Sequence, residues 1–575
     1  MTLNRQILRL HGSLSVTFTL LVVVSLTASA QSTNAPLDEA YYHKIDRYEV
    51  KSGKIVPELF TSVKPYKRSA IVAMIDSLDK NDSLFQSEAD VFNRQYLRND
   101  SWEWSRAGSA DSEKPFLKSL YMKKSDLFYV DEKDFDLHVS PVLYVGAGKD
   151  SRLNETLFTN TRGVEIRGMV DRKVGFYTFI TDNQMQMPLY ATEYGKLYGY
   201  NIVPHQGFWK GFKNSGVDFF DARGYIDFSI SKSIWVQFGY DRTFIGNGMR
   251  SLIFSDFGPP NQFLRANVKV WKLNYLFQLN RMVANNYGQS NTRYPDKYMA
   301  FHHLSVNVGK KLNLGFFESI VFSPQDSING GTFELNYLNP VIFYRAIEQQ
   351  NGSADNALLG IDWKWLIVPR VSFYGQFVLD EFVLKEMTSG KGWWANKFAV
   401  QGGIKYIDVA GISNLDVQLE GNLARPYTFS HKNLFTSYTN FLQPIGHPMG
   451  ANFYEIAFVG RYQPIPRLTV TVKSSFMRTG RDTPVNTAPA QVWGQDINKS
   501  YDLRMQDYNN KIAQGIDNQI AYNDILVSYM WKHNVFIDLR QTFRTSTSPN
   551  AAFNNSTSVT FLAVRWNIAS RSYEF

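Results

Sequence analysis

Apolar and polar residues alternate along most of this chain. From about Phe128 onward the period is two. Ile226, Phe228 and Ile230 alternate with Tyr225, Asp227 and Ser229. Ile234, Val236, Phe238 and Tyr240 alternate with Trp235, Gln237 and Gly239. Val371, Phe373, Phe377 and Leu379 alternate with Ser372, Tyr374, Gln376 and Asp380. Leu415, Val417 and Leu419 alternate with Asp416, Gln418 and Glu420, and Val535, Ile537 and Leu539 with Phe536, Asp538 and Arg540. Strands of this kind have one apolar and one polar face, as lipid outside and a wet lumen inside require.

A soluble sandwich gives the same period, so the connections decide. Tight turns at Asp171-Arg172-Lys173, Ser231-Lys232-Ser233, Gly309-Lys310-Lys311, Val368-Pro369, Val409-Ala410-Gly411, Pro464-Ile465-Pro466 and Lys532-His533-Asn534 take turns with long joins at 183–218, 323–356, 381–396, 423–451 and 478–518. Short turns at one end and long loops at the other are the pattern of outer-membrane barrels. The alternation breaks once, around Leu264–Asn280. There Ala266, Val268 and Val270 lie on one register and Leu273, Tyr275, Phe277 and Leu279 on the other. A tight turn at Trp271-Lys272 restores both phase and parity and raises the count from about 17 to about 18, the even number that bacterial barrels favour. A β-bulge is the alternative, and it explains only the phase.

Residues 31–127 differ. Ile71, Ile75 and Leu78 share a helical face, as do Phe85, Ala89, Phe92 and Tyr96, with Ser83 and Gln86 as a capping box. Ahead of them, Arg5 and Arg9, an apolar run from Leu14 to Leu26, and Ala28-Ser29-Ala30 read as an export signal cleaved before Gln31. The expected organisation is a signal peptide at 1–30, a helical periplasmic domain or plug at 31–127, and an antiparallel outer-membrane barrel at 128–575. The last strand runs through Leu562, Val564, Trp566 and Ile568, and the terminal Phe575 resembles the C-terminal aromatic assembly signal of such barrels.

Composition narrows the chemistry. The chain has no cysteine, which removes disulfides, thiolate catalysis and Cys-based metal sites. Aromatic residues make up 15%, as barrels with aromatic girdles require. The formal charge is +9, and removing Arg5 and Arg9 with the signal leaves +7, with no polybasic run of the kind nucleic acid binds. No H-E-x-x-H, G-x-S-x-G or P-loop occurs. Gly246-Asn247-Gly248 lies between strands and reads as a turn. His302-His303 sits in a strand, so the rings point to opposite faces and share no metal. Glu165, Arg167, Asp362, Lys364, Asp416, Glu420, Asp538 and Arg540 read as the polar wall of a wide barrel rather than as acid–base catalysts. No enzyme activity, cofactor or metal is expected. Exposed aromatics in the loops are the functional hint: Phe208-Trp209-Lys210 with Lys213, Trp393-Trp394, and Trp493. Trp209, Lys210, Trp393, Trp394 and Trp493 are the candidate carbohydrate-binding residues, with membrane anchoring as the other use of such rings.

Several segments carry a family resemblance. Y-Y-H-K-I-D-R-Y-E-V-K-S-G-K-I (Tyr41–Ile55), K-P-Y-K-R-S-A-I (Lys64–Ile71) and F-I-G-N-G-M-R-S-L-I-F-S-D-F-G-P-P (Phe244–Pro260) resemble the Wzi-type capsule assembly proteins. L-N-P-V-I-F-Y-R-A-I-E (Leu338–Glu348) and S-A-D-N-A-L-L-G (Ser353–Gly360) resemble its Bacteroidetes branch, whose members are called gliding motility protein RemB. The resemblance covers nearly the whole mature chain. It implies an outer-membrane barrel of about 18 strands with a periplasmic helical part, a plugged lumen, and a lectin role holding capsular polysaccharide at the cell surface. No sugar-contacting residue of the family is matched to a position here. The expected partners are outer-membrane lipid, surface polysaccharide and the barrel assembly machinery, with no nucleic acid. Three roles remain open: a polysaccharide anchor of capsule or exopolysaccharide assembly, a gliding or adhesion component, and a diffusion porin.

Overall fold

The computed structural model describes all residues except 1–31, 81–83, 106–109, 214, 285–293, 325–332, 341–354 and 485–486. The expected signal, Ser83 and most of Leu338–Glu348 therefore lie outside the described residues.

The period-two segments form a closed barrel of 18 antiparallel strands. In chain order these are β1 (Phe135–Asp150), β2 (Thr156–Val170), β3 (Val174–Gln186), β4 (Gly216–Ser229), β5 (Ile234–Asp241), β6 (Asn261–Val270), β7 (Leu273–Val283), β8 (Asp296–Val308) and β9 (Leu312–Phe322). They continue as β10 (Asn356–Val368), β11 (Val371–Glu381), β12 (Lys397–Tyr406), β13 (Leu415–Ala424), β14 (Phe453–Ile465), β15 (Leu468–Arg481), β16 (Ile516–Lys532), β17 (Val535–Thr547) and β18 (Asn555–Trp566). The β18–β1 pairing, from Val559 opposite Asp150 to Trp566 opposite Leu143, closes the ring. Short turns gather at one end and long loops at the other. Trp271-Lys272 is a two-residue turn between β6 and β7: Val270 pairs with Leu273, and Trp271 has φ 53°. The bulge alternative is thus excluded.

Facing follows the alternation. Ile226, Phe228, Phe238, Leu419, Ile537, Leu539 and Leu562 are exposed on the outer wall. Trp271, Trp365, Trp531, Tyr462 and Tyr529 are exposed near the turn end. The wet lumen is corrected. Gln376 is 1% exposed, and Asp227, Gln237, Asp416, Gln418, Glu420 and Asp538 are likewise buried. Protein, not water, covers the inner face.

That protein comes from both ends. From the turn end enter α1 (Glu39–Ser52), α2 (Arg68–Leu78) and α3 (Glu88–Asp100). Asp38 caps α1 by accepting from Ala40 N (2.8 Å) and Tyr41 N (3.1 Å), and Gly53, at φ 65°, ends it. Ser87 caps α3, accepting from Asp90 N at 3.0 Å, so this helix starts later than the Ser83/Gln86 expectation. Ile45, Tyr48, Ile71, Ile75 and Leu97 form the helices' own core, with Met530 of β16 against it. From the loop end, residues 242–260 dive inward. Their Phe244–Ile245 pairs antiparallel with Val63–Lys64, forming a small sheet inside the barrel.

The C-terminus also turns inward, away from the lipid-facing strand end expected for Phe575. β18 ends at Trp566, and residues 567–575 climb the inner wall. Arg540 donates to Arg571 O, Arg544 Nε to Phe575 O (2.8 Å) and Arg250 to Glu574 O (2.6 Å). Phe575 is buried with its ring 4.0 Å from Tyr194. A strand-terminal aromatic facing lipid must leave the lumen, and this one enters it.

Candidate functional site

Three long loops interlock at the loop end: 382–396, 425–452 and 482–515. Asn509 N donates to Lys391 O and Asn510 N to Gly392 O, each at 2.9 Å. Trp394 N donates to Asp507 O (2.8 Å) and Tyr427 N to Gly494 O (3.0 Å). This knit brings Trp393, Trp394 and Trp493 into one loop cluster. The Trp393 and Trp394 rings are 6.0 Å apart. Trp394 is 4.9 Å from Tyr501, and the Arg504 guanidinium lies 4.3 Å over its ring. One stacking face of Trp394 is therefore taken, and Trp393 is the freer half-buried ring. Trp493 donates from Nε1 to Gln491 (3.2 Å) and its ring packs so close to Gly515 that a Cβ there would come within 2.5 Å.

Trp209 and Lys210 lie on a different loop, 187–215. Trp209 is half-buried against the apolar cluster inside the barrel, while Phe208 beside it is 59% exposed. Lys210 opens a short strand, Lys210–Phe212, with its ammonium 3.7 Å from Asp218. Tyr501 and Arg504 went unnoticed in the sequence. Their spacing of three within a polar loop carries no apolar signal, and only the loop's fold brings them to Trp394.

Charge is buried beneath these loops. Tyr200 donates to Asp496 (2.6 Å) and Tyr198 to Gln495 (2.6 Å), joining loop 187–215 to loop 482–515. Burial pushes the Asp496 carboxyl up to about 6, with Lys499 opposing and Asp482 adding to the shift. Burial raises Asp482 as well, although Trp493 N and Gly494 N donate to it. Burial lowers His205 to about 4, helped by the neighbouring Arg242 cation.

The lumen is closed by contacts on specific wall residues. Met249 N and Arg250 N donate to Glu420 (2.7 and 3.0 Å), and Leu252 N donates to Gln376 (2.7 Å). Gly246, at φ 134°, lets the loop pass Gln376: a Cβ there would sit 2.4 Å from Gln376 Nε2. Gly246-Asn247-Gly248 is thus a close-approach segment against the wall. At the turn end, Arg47 of α1 bonds Asp416, Asp408 (2.6 Å) and Asp90 (3.3 Å), while Lys364 pairs with Glu49. The wall charges do form networks, as Arg565–Asp538 (2.6 Å) within the wall illustrates, but many partners come from α1. A cavity of about 400 Å³ remains between α1, loop 242–260 and the C-terminal tail, lined among others by Glu39, Arg242, Arg250, Arg461, Arg571 and Glu574.

The same architecture occurs in Wzi of Escherichia coli, whose crystal structure is described as a carbohydrate-binding β-barrel involved in group 1 capsule assembly. The TM-score is 0.56 at 13% identity, covering 94% of this chain and 100% of that one. The fold is that of Wzi. OprD of Pseudomonas aeruginosa matches with a TM-score of 0.41 at 8% identity, over 76% of this chain and 95% of that one. OccK8 (OprE) of the same organism gives 0.40 at 11%, over 75% and 97%. No family model matches the chain, and no curated protein does.

His303 points inward to Asp362, at 2.6 Å, while His302 lies among Tyr275 and Phe277 on the opposite face, so the two rings share nothing. Among the described residues no group of three or more His, Asp and Glu side chains is placed to hold a metal ion.

Proposed function

We propose that this protein spans the bacterial outer membrane and holds polysaccharide at the cell surface through its loop end, with a lumen closed to free diffusion. The observation that carries the reading is the filled barrel. Loop 242–260 from one end and the N-terminal segment from the other meet in a shared sheet, Val63–Lys64 with Phe244–Ile245. A porin needs an aqueous path there. The apolar outer wall and the exposed aromatics near the turn end support membrane residence. A fold shared with a carbohydrate-binding barrel of capsule assembly supports the ligand class.

Sugar rings stack on aromatic faces through their C–H surfaces. Trp393 of the candidate set and Phe208, next to the candidate Trp209, are the best-presented rings, with Trp394, Trp209, Lys210 and Trp493 shaping their surroundings. The export signal at residues 1–30, the division at residue 127 and insertion by the barrel assembly machinery belong to the same reading. So does kinship with the gliding motility protein RemB, on the motifs at Leu338–Glu348 and Ser353–Gly360. No catalytic role is assigned.

Deleting the gene tests the function. Release of capsule or exopolysaccharide into the medium, together with little current from the purified protein in a planar bilayer, is the expected result. Large stable conductance steps with normal polysaccharide retention contradict it in favour of a porin. Normal retention without currents, but with lost surface movement, contradicts it in favour of a gliding component.

A further inference from the structure

Between the helices and β1, the chain runs from inward contacts at Trp102, Ser125 and Asp126 to an outward-facing ring of the wall. Residues 110–127 form a hairpin there: Asp111 bridges Lys123, Ser112 N donates to Met122 O (2.9 Å), and Lys124 N donates to Ala110 O (2.8 Å). The Tyr121 ring stacks on Trp566, with centroids 5.6 Å apart and planes 21° apart. Trp566 ends β18 on the outward register of Leu562 and Val564, so this contact fixes the hairpin outside the barrel at its turn end. Phe128 and Phe135, both exposed, continue the same outer surface.

The tip is unusual in composition and backbone. Leu117 (φ 52°) and Lys118 (φ 62°) are both left-handed, and Ser119 N bonds back to Phe116 O at 3.3 Å. Two consecutive left-handed residues are the geometry for which Asn-Gly is favoured. Here a leucine and a lysine occupy it instead. Phe116 and Leu117 are 61% and 71% exposed, and Met122 is exposed as well. Exposed Lys114 and Lys118 flank the apolar pair, and from Asp111 to Lys124 the lysines at 114, 118, 123 and 124 outnumber the acids at 111 and 113. An apolar tip rimmed by lysines, on a hairpin that stacks on an outward ring of the wall, matches the boundary between acyl chains and phosphate headgroups.

We infer that the hairpin is a lipid anchor on the periplasmic leaflet. Phe116 and Leu117 enter the acyl boundary, and Lys114 and Lys118 meet the phosphates of anionic glycerophospholipid. The anchor is tied to the interior: Lys123 lies 4.6 Å over the Trp102 ring, and Trp102 Nε1 donates to Asp126 at 2.6 Å. The leaflet thereby holds the point where the helical segment leaves the barrel. This inference rests on the outer-membrane reading above.

The chain has no cysteine, so single-cysteine labelling of the full-length protein is clean. Leu117→Cys and, as a wall control, Leu562→Cys are spin-labelled and reconstituted in phosphatidylcholine vesicles with and without phosphatidylglycerol. Collision with oxygen and with a water-soluble nickel complex reads the depth. The expected result is that both labels meet oxygen more than nickel, that phosphatidylglycerol deepens the Leu117 label, and that Lys114→Gln with Lys118→Gln abolishes this deepening. A Leu117 label in water while the Leu562 label is in lipid overturns the anchor and leaves the barrel reading intact. Both labels in water overturn the membrane reading itself. A Leu117 label shielded from both collision partners is buried against protein and overturns the lipid assignment. Insertion that ignores phosphatidylglycerol overturns the anionic headgroup.

Discussion

Replacing Arg47 with methionine should unlatch the helical segment from the barrel. Arg47 is 3% exposed and reaches three carboxylates: Asp90 on α3, Asp408 in the β12–β13 turn and Asp416 on β13. It also donates to Asn414 at 3.0 Å. Lys51 shares Asp90 (2.7 Å) and Asp408 (3.1 Å), and His43 lies 2.9 Å from Asp416. Burial holds His43 down at about 4, so it is neutral at pH 7. Without Arg47, Lys51 still bridges Asp90 and Asp408, and Arg370 stands 3.9 Å from Asp408, but Asp416 keeps only the neutral His43. Removing one partner of a buried ion pair costs about 3–5 kcal/mol, because the other charge stays desolvated and unpaired. That shifts a docked–undocked equilibrium by roughly a hundred- to several-thousand-fold. The helices' own core, Ile45, Tyr48, Ile71, Ile75 and Leu97, is untouched. The segment should therefore detach rather than unfold. Limited proteolysis should cut residues 53–67 faster in Arg47→Met, and planar bilayers should show flickering currents. Combining Arg47→Met with Asp408→Asn and Asp416→Asn should restore protection, because the orphaned charges are gone. An Arg47→Met protein that is folded, protected and electrically silent would refute the latch.

Other outcomes follow from the same structure. Phe377→Arg should block membrane assembly by placing a charge on the lipid face at a cost of about 2–4 kcal/mol, whereas Gln376→Arg should still assemble but lose the bonds to Leu252 N and Ile245 O and free loop 242–260; equal assembly yields would show the facing to be wrong. Deleting residues 567–575 should leave insertion intact, since β18 ends at Trp566, but should lower the melting temperature by freeing Arg250, Lys473, Arg540 and Arg544 from the tail; loss of insertion would return the assembly signal to Phe575. Because Asp496 titrates at about 6 when folded against 3.8 when exposed, the folded loops hold a proton that the open loops shed. Their packing should therefore strengthen as the pH falls from about 6 towards 4, with no further change from this group above about 6; intrinsic-rate-corrected hydrogen exchange at Trp493–Ile497 that slowed on raising the pH from 4 to 6 would contradict this.

The wall was legible because it is written in a period of two. Trp271-Lys272 is readable as a turn from the sequence, since a one-residue slip turns every later side chain to the other face. The inside was legible only through the family resemblance, which implies a plugged lumen, and not from the alternation itself. An inward polar residue such as Gln376 looks the same whether it meets water or a folded loop. The one available signal was Leu252, Ile253, Phe254 and Phe257, an apolar run in a long loop that would be costly to expose. The tail misled for a related reason: Phe575 has the chemistry of a strand-terminal aromatic, and only the inward turn after Trp566 separates the two roles. At the loop end, Trp393 and Trp394 were legible as residue types, but the Arg504 over Trp394 and the inward set of Trp209 depend on how distant loops fold together.

Binding of the purified protein to the polysaccharide shed by its own strain tests the central claim most directly. Titration in detergent by calorimetry should show saturable binding. Trp393→Ala and Phe208→Ala should each weaken it by about 1–1.5 kcal/mol, in the range known for aromatic contacts. Saturable binding that falls with the loop rings is the predicted result. No binding to that polysaccharide by folded protein, or binding indifferent to both rings, would contradict it.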